Sequence, residues 1–547
     1  MVTATPTLPA RLARRIPLPL AGWPLAALAA AFLLPGLFGH DPWKTTDAVA
    51  FGVVHQMLES GNWLLPGLAG EPYYDGGPLY FWIAALAVKT FVGVLPPHDA
   101  ARIASALFIV IALWFVRLAA RELYGKQQGD LSMIALMGCL GLMWHAHETA
   151  PETAMLAGLA AAYYGVSISH RKPVKGGLVF GVGTGVAFLS HGVDALLQPL
   201  VAALLVLPLC ASFRQRTFGF AVALGLAVLL PFLLVWPWLV VERSPGYFQA
   251  WLDWQLTSVT NAPRPKEFLD TLKTLAWAAW PVWPMTLWAT WEYRRLLREP
   301  GFAVPFVGMF VSLALLLFMA DPREMDVLAL LVPLAIPAGP AAMALRRGAA
   351  NALMWFSMMT FTLGAGFIWV MWLATFAGFP EALARRAERL LPGFVFQVHW
   401  LPLAVALLLT AGSLVLAFRA ERSTLRSLTY WASGVTLIWG LAMTLWLEWI
   451  DFGKSYRPVA ESLREALPAR PRCIESRALG ESQRAVFHYH GGILTQRVEV
   501  HGRTDCPYLL VQSSTRDPEV APGPRWRRVW EGSRPRDHER YRLYRRS

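Results

Sequence analysis

The segment Pro78–Leu95, "PLYFWIAALAVKTFVGVL", decides how this chain is threaded. It is apolar for about 17 residues, the lower limit for crossing a hydrocarbon core roughly 30 Å thick. If it crossed, the basic clusters Arg11, Arg14, Arg15 and Arg117, Arg121, Lys126 would fall on opposite sides of the membrane. Read as an interfacial helix, with Tyr80 and Trp82 at headgroup level and Lys89 snorkelling, it leaves both clusters on one side. Basic loops collect in the cytoplasm. The second reading therefore holds, and residues 40–100 become an extracytoplasmic loop with two membrane-hugging helices.

The rest of the chain sets that loop in a membrane. Of 547 residues, 55% are hydrophobic and only 16% charged, against about 25% charged in soluble domains. Apolar runs recur almost end to end, and inside lipid such runs are helices because the backbone must satisfy itself. About thirteen spans are expected, near 19–39, 101–120, 129–146, 151–169, 176–190, 194–211, 217–241, 271–291, 302–320, 327–345, 351–378, 398–418 and 428–450. The net charge of +13 suits nucleic acid in the abstract. Here, however, the basic residues sit in alternate short loops, from Arg171, Lys172 and Lys175 through Arg214, Arg216, Arg294, Arg295 and Arg298 to Arg346, Arg347, Arg419, Arg422 and Arg426. The intervening loops read "HAHETAPE", "SHGVD" and "ADPREMD". This is the pattern of topology signals, and it places the N-terminus in the cytoplasm. The first apolar run lacks a small-residue cleavage site and reads as a retained anchor.

From about Gly453 the composition changes, and 453–547 reads as a small α/β domain on the outer side, beside a helical membrane domain over 1–452. "SYRPVAESLREAL" and "ESQRAVFHYHGG" have helical character, while "RCIESR", "RVEV", "CPYLLVQSS", "RRVWEGS" and "RYRLYRRS" read as strands. Cys139 and Cys210 lie in spans as packing residues, whereas Cys473 and Cys506 sit where an oxidising compartment permits a disulfide.

Polar groups gather at the outer ends of the spans. In "GHDPWKTTDAVAFGVVHQML", Ala50, Val53, Val54, Met57 and Leu58 share one helical face that can lie on the membrane, and Asp47, Phe51 and His55 share another. Asp47 also suits a plain helix start, with Thr45 or Thr46 as N-cap. Glu71, Tyr74 and Asp75, then His145, His147, Glu148 and Glu152, then His191 and Asp194, and finally Arg323 and Glu324 fall at the same level. Acids, histidines and a few cations on one face of a bundle fit a cleft for a phosphate-bearing substrate. The pair His145 and His147, at i and i+2, is too loose for a metal motif. No metal ligand set is assigned, and a divalent metal is left open.

The stretch from His40 to Trp82, with "MLESGNWLLP", "GEPYY" and "PLYFW", resembles the first outer loop of the family 39 glycosyltransferases. These are the protein mannosyltransferase-like and lipid A aminoarabinose transferase-like membrane enzymes of bacteria. The likeness continues through "ETAMLAGLAAAYYG", "GVAFLSHG", "LALLVPLAI" and "KSYRPVAESLREALP". It implies a GT-C fold in the inner membrane and sugar transfer from a polyprenyl-phosphate donor to a lipid A-like lipid, glycan or protein acceptor on the periplasmic face. It also implies a carboxylate as base and cations on the leaving phosphate. Asp47, Asp41 and Glu152 are the candidate catalytic acids, and Lys44, Asp75, Tyr74, Arg102, His191 and Arg323 the candidate binding residues. The family's Asp-Glu pair is Thr46-Asp47 here, its Glu-Lys-Pro is Asp75-Gly76-Gly77, its Lys-Gly is His191-Gly192, and Asp326 replaces a tyrosine. These losses motivate a second expectation: an impaired relative that binds polyprenyl lipid or partners an active paralogue. A transporter would need ionisable groups at mid-membrane and internal repeats, and the sequence displays neither.

Overall fold

The computed structural model describes residues 20–260, 264–319, 323–419, 425–502, 504–516 and 522–547. Arg11, Arg14, Arg15 and Arg422 of the basic set, and Asp321 of the "ADPREMD" loop, lie outside the described residues. The chain is a multi-span helical membrane protein carrying a small mixed-sheet domain at its C-terminus.

Seven described helices are long and apolar enough to cross a bilayer: Pro97–Tyr124, Pro173–His191, Arg216–Arg243, Pro300–Phe318, Arg347–Ala377, Trp400–Phe418 and Arg426–Leu445. The pair Glu324–Ala335 and Ala338–Ala344, bent by 66°, makes an eighth if taken as one span. Four of the remaining expected spans are helical but shorter or interrupted. The first is helix only over Trp23–Leu33, and the sixth is Val193–Leu209. The third breaks between Lys126–Met137 and Leu140–His145. The eighth breaks between Pro265–Ala278 and Val282–Glu292, where Pro281 withholds a backbone N–H from the helix ladder. Pro151–Ser169 is continuous and buried along its whole length.

That burial explains its small residues. Gly158 and Gly165 of this helix face Gly183 and Gly176 of Pro173–His191, so close that a Cβ on Gly158 would lie 2.6 Å from Gly183 O and Ala187 N. Membrane helices associate through such small-residue faces because lipid supplies no hydrophobic drive between them.

The outer loop departs from its expected placement. Its helices, Thr46–Ser60 and Leu79–Thr90, exist, but the first does not rest on the membrane. Ala50, Val53, Val54 and Met57 are buried in the bundle core, and Ala48 enters the core of the C-terminal domain. Apolar periodicity identifies a face to be covered; here protein covers it instead of lipid. Tyr80, expected at headgroup level, is likewise buried, its hydroxyl 2.7 Å from Ser105 Oγ. Lys89 lies over the Trp63 ring, 4.7 Å from its centroid. Between the two helices a short hairpin pairs β1 (Gly67–Leu68) with β2 (Glu71–Pro72).

After the helices Leu447–Lys454 and Arg457–Ala466, the C-terminal domain builds a five-stranded sheet. Its strands are β3 (Ile474–Arg477), β4 (Gln496–Arg497), β5 (Tyr508–Ser514), β6 (Trp526–Gly532) and β7 (Glu539–Arg546), in the order β4-β3-β5-β7-β6. β3 runs parallel to β4 and β5, and the β5-β7-β6 pairs are antiparallel. The expected strand "RVEV" is mostly a helical turn, Val498–His501. Glu499 Oε1 accepts the Ala478 N–H at 2.7 Å and draws this segment off the sheet edge. Cys473 and Cys506 are disulfide-bonded, and Cys139 and Cys210 are free and buried. Helix Glu481–Gly491 packs across Thr46–Ser60, with Ala485 against Gly52.

Gly158→Val pushes carbon against backbone atoms that have no room to yield. It should destabilise the protein by about 1–3 kcal/mol, read as a lower Tm in detergent. Gly219→Val, where nothing lies within 4 Å of a new Cβ, serves as the neutral control.

Candidate active site

Helix Thr46–Ser60 opens with Asp47, and that carboxylate is wholly buried. Arg102, also at zero exposure, donates from Nη2 to Asp47 Oδ2 at 2.8 Å. The backbone N–H of Thr149 donates to Oδ1 at 2.8 Å and that of Trp43 to Oδ2 at 3.1 Å. Arg102 in turn donates to Asp99 Oδ1 at 2.8 Å, to the His40 carbonyl at 2.9 Å and to the Asp41 carbonyl at 3.1 Å. Asp41 faces the C-terminal domain: its carboxylate accepts from Ser455 Oγ at 2.6 Å and from both arms of the Arg457 fork. Asp451 accepts the Asp41 N–H at 3.0 Å and the Trp43 indole N–H at 2.8 Å. These groups tie the loop to a span and to the C-terminal domain, and none of Asp41, Asp47 or Arg102 lines the cavity in front of them.

The cavity lies in front of them. It measures about 470 Å³ and is walled by the start of the loop helix, the Tyr73–Gly76 turn, the His145–Glu152 segment, Ser190–His191, Arg323–Met325 and Glu481. Lys44, Asp75, Glu152, His191 and Arg323, scattered along the sequence, meet there. Arg323, half exposed, holds Asp75 through both guanidinium nitrogens. Tyr73 donates to the same carboxylate at 3.3 Å. His191 stands between two acids, with Nδ1 3.1 Å from Asp194 Oδ2 and Nε2 3.2 Å from Asp326 Oδ1. Lys44 pairs with Glu539 of β7. Glu152, 3% exposed at the first turn of its helix, is different. Among the described residues nothing hydrogen-bonds its Oε2. A buried carboxylate oxygen without a partner, facing a cavity, is available to a substrate.

Tyr74 is not in the lining. It packs on Tyr247, ring centroids 5.1 Å apart, and its neighbour Tyr73 takes the cavity position. Adjacent tyrosines in an extended turn point to opposite sides, and the sequence alone does not say which points in. Glu481 also went unnoticed, because it reaches the cavity only through docking of the C-terminal domain. His145 and Glu148 line it as a pair, 3.2 Å apart. His147 packs away, on Trp439 and the Phe32 carbonyl. A larger cavity of about 750 Å³ lies between the β1-β2 hairpin and the C-terminal domain. Its buried acid, Glu71, is already engaged by Arg484 and Arg497, so the smaller cavity holds the uncommitted chemistry.

The supporting acids are strongly perturbed. Burial acts to raise the Asp47 carboxyl, but the Arg102 charge and hydrogen bonds prevail and hold it at about 2. Asp41, raised by burial, is brought down to about 2 by its bonds from Arg457 and Ser455. Among the described residues Asp451 forms no ion pair: burial, with the nearby Asp41 charge, lifts it to about 6 against the Trp43 hydrogen bond.

Residues 75–238 match the family model described as dolichyl-phosphate-mannose-protein mannosyltransferase. The undecaprenyl phosphate-alpha-4-amino-4-deoxy-L-arabinose arabinosyl transferase 1 of Pseudomonas fluorescens is 30% identical over 241 residues, 42% of this chain and 41% of that protein. The corresponding transferase of Pseudomonas savastanoi pv. phaseolicola is 28% identical over 235 residues, 41% of this chain and 42% of that one. The chain thus spans about two fifths of the length of the curated relatives it matches. In structure it is similar to ArnT from Cupriavidus metallidurans bound to undecaprenyl phosphate, with a TM-score of 0.68 at 15% identity over 95% of this chain and 97% of that one. Sequence and fold together bear out the resemblance to the GT-C glycosyltransferases.

The folded protein binds the Asp451 proton more tightly than the unfolded chain, whose aspartates titrate near about 3.9. The stability this residue contributes is therefore full below about pH 4 and lost as pH rises through about 6. Asp41 and Asp47 have the opposite sense: their contribution is present above about pH 4 and lost as pH falls toward about 2. Asp451→Asn keeps an oxygen acceptor for Trp43 and removes the titration. Its Tm should draw ahead of wild type between pH 4 and 6 and stay ahead above; parallel Tm curves would contradict the assignment.

Proposed function

We propose that this chain is a glycosyltransferase moving a sugar from a polyprenyl-phosphate donor to a lipid A-like glycolipid at the periplasmic face of a bacterial inner membrane. In this topology the N-terminus is cytoplasmic and the C-terminal domain, from about Gly453, periplasmic. The observation that carries the reading is Glu152 Oε2, without a hydrogen-bond partner among the described residues, in a cavity that also presents Arg323, His191 and Lys44. In the transfer, an acceptor oxygen attacks the anomeric carbon and the bond from that carbon to the phosphate oxygen breaks. Glu152 is placed to take a hydroxyl proton from the acceptor, and the cations to stabilise the charge left on the phosphate.

Asp47 and Asp41 become positioning residues in this scheme. Asp47 receives the Thr149 N–H, three residues before Glu152, and so sets the turn that aims the Glu152 carboxylate. Arg102 holds that turn from behind. The missing family lysine has a steric explanation. Gly76 lies at φ +87, and a Cβ there would sit 2.8 Å from Ser190 O; on Gly77 it would sit 2.2 Å from Leu189 O. No lysine fits that turn, and Arg323 delivers the cation from the opposite wall, oriented by Asp75.

The lining acids Asp75, Glu148, Glu152, Glu324 and Glu481 outnumber the cations Lys44, Arg323 and His191. That excess suits a sugar bearing an ammonium group, in keeping with the 4-amino-4-deoxy-arabinose in the relatives' names. No metal enters this scheme.

Purified protein in lipid, given a radiolabelled polyprenyl-phosphate amino sugar and envelope glycolipid, should form labelled product. Glu152→Gln should cut the rate at least about 100-fold with Tm unchanged. Arg323→Ala should chiefly raise KM for the donor. Asp47→Asn should lose both activity and stability, the latter by up to about 3 kcal/mol, since it removes one of the two carboxylates that meet the buried Arg102 charge. Saturable lipid binding without turnover of any donor would instead indicate an impaired relative.

A further inference from the structure

A cluster apart from the cavity has no part in the transfer scheme. His55 and Glu59 lie at i and i+4 on helix Thr46–Ser60, the spacing that puts two side chains on one helical face. His488, 4% exposed, meets them from helix Glu481–Gly491 of the C-terminal domain. One ligand atom from each of the three lies within 4.8 Å of the other two. His488 Nε2 is 2.8 Å from Glu59 Oε2, and the His55 and His488 rings are 4.9 Å apart. Among the described residues no hydrogen bond engages the His55 ring.

We infer that His55, Glu59 and His488 form a zinc site that staples the C-terminal domain to the loop helix. The donor set is the argument. Two imidazoles and one carboxylate suit a borderline divalent ion such as Zn²⁺, whereas magnesium and calcium prefer oxygen ligands throughout. Tetrahedral zinc, with bonds near 2.0–2.1 Å, sets its ligand atoms roughly 3.3 Å apart. The cluster brackets that spacing, with His488 and Glu59 at 2.8 Å and every pair within 4.8 Å. The Glu59 side chain is 58% exposed, so the fourth position opens to water.

The backbone beneath is already placed for it. Gly52 and Ala485 bring the two helices so near that a Cβ on Gly52 would lie 2.6 Å from the Ala485 Cβ. His55 and His488 each follow by about one turn. A bound ion would couple Glu481 and Lys44, on the two sides of the cavity, without touching substrate.

Full-length protein in detergent, stripped by chelation, is to be titrated with Zn²⁺ against a chromophoric chelator. Wild type should take up one equivalent and gain thermal stability. His55→Ala should lose both effects. Glu59→Gln, an exposed change that leaves folding intact, should weaken binding by at least the roughly tenfold seen when even outer-shell partners are lost. Absence of stoichiometric zinc in wild type, or wild-type affinity in both variants, overturns the site whatever the outcome of the transfer assay.

Discussion

Arg102 is a guanidinium at zero exposure, and the organisation of the loop end of the bundle depends on how its charge is met. A single buried charge is costly unless it is paired and its remaining protons are bonded. Asp47 and Asp99 meet the charge, and the carbonyls of His40 and Asp41 take the remaining donors. Satisfying one arginine therefore fixes the exit of the first apolar helix, the start of the loop helix and, through Thr149, the entry to helix Pro151–Ser169. Replacing this pair with apolar groups could keep the packing but would discard the register it imposes on three segments at once.

From that anchor the network extends outward through Asp41 to Ser455 and Arg457, and through Lys44 to Glu539. The C-terminal domain thus docks on the loop by ion pairs at one end of the loop helix. At the other end the proposed zinc staple would act. Between the two ends, Ala48, Gly52 and Ala485 make the apolar contact. The cavity opens beside this junction, with bundle, loop and C-terminal domain each contributing lining residues. Its geometry is a property of the assembled parts, and perturbing the domain contact should alter the site without touching a lining residue.

Much of this was legible in the chain. Apolar runs and basic loops sufficed for a helical membrane bundle, since lipid leaves the backbone no alternative. The composition change near Gly453, Cys473 with Cys506, and the strand patterns of β3, β5, β6 and β7 were equally readable. Lys44, Asp75, Glu152, His191 and Arg323 could be grouped because span ends share one level of the membrane. That argument fixes height alone. It does not say which end residues face the same hollow and which pair behind it, so Asp41 and Asp47 were grouped with them.

What the sequence determined by itself follows from local physics: helix or strand by period, membrane depth by hydropathy, and the resemblance carried by linear motifs. What tertiary structure decided is which partner covers each face. The apolar face of Thr46–Ser60 demands burial, but only packing shows that protein and not lipid supplies it. Asp47 is a charged group near a helix start in the sequence; only the arrival of Arg102 and Thr149 makes it a strut. Glu152 stands out only in three dimensions, because lacking a partner is a relation between a residue and everything around it, and no one-dimensional pattern records it.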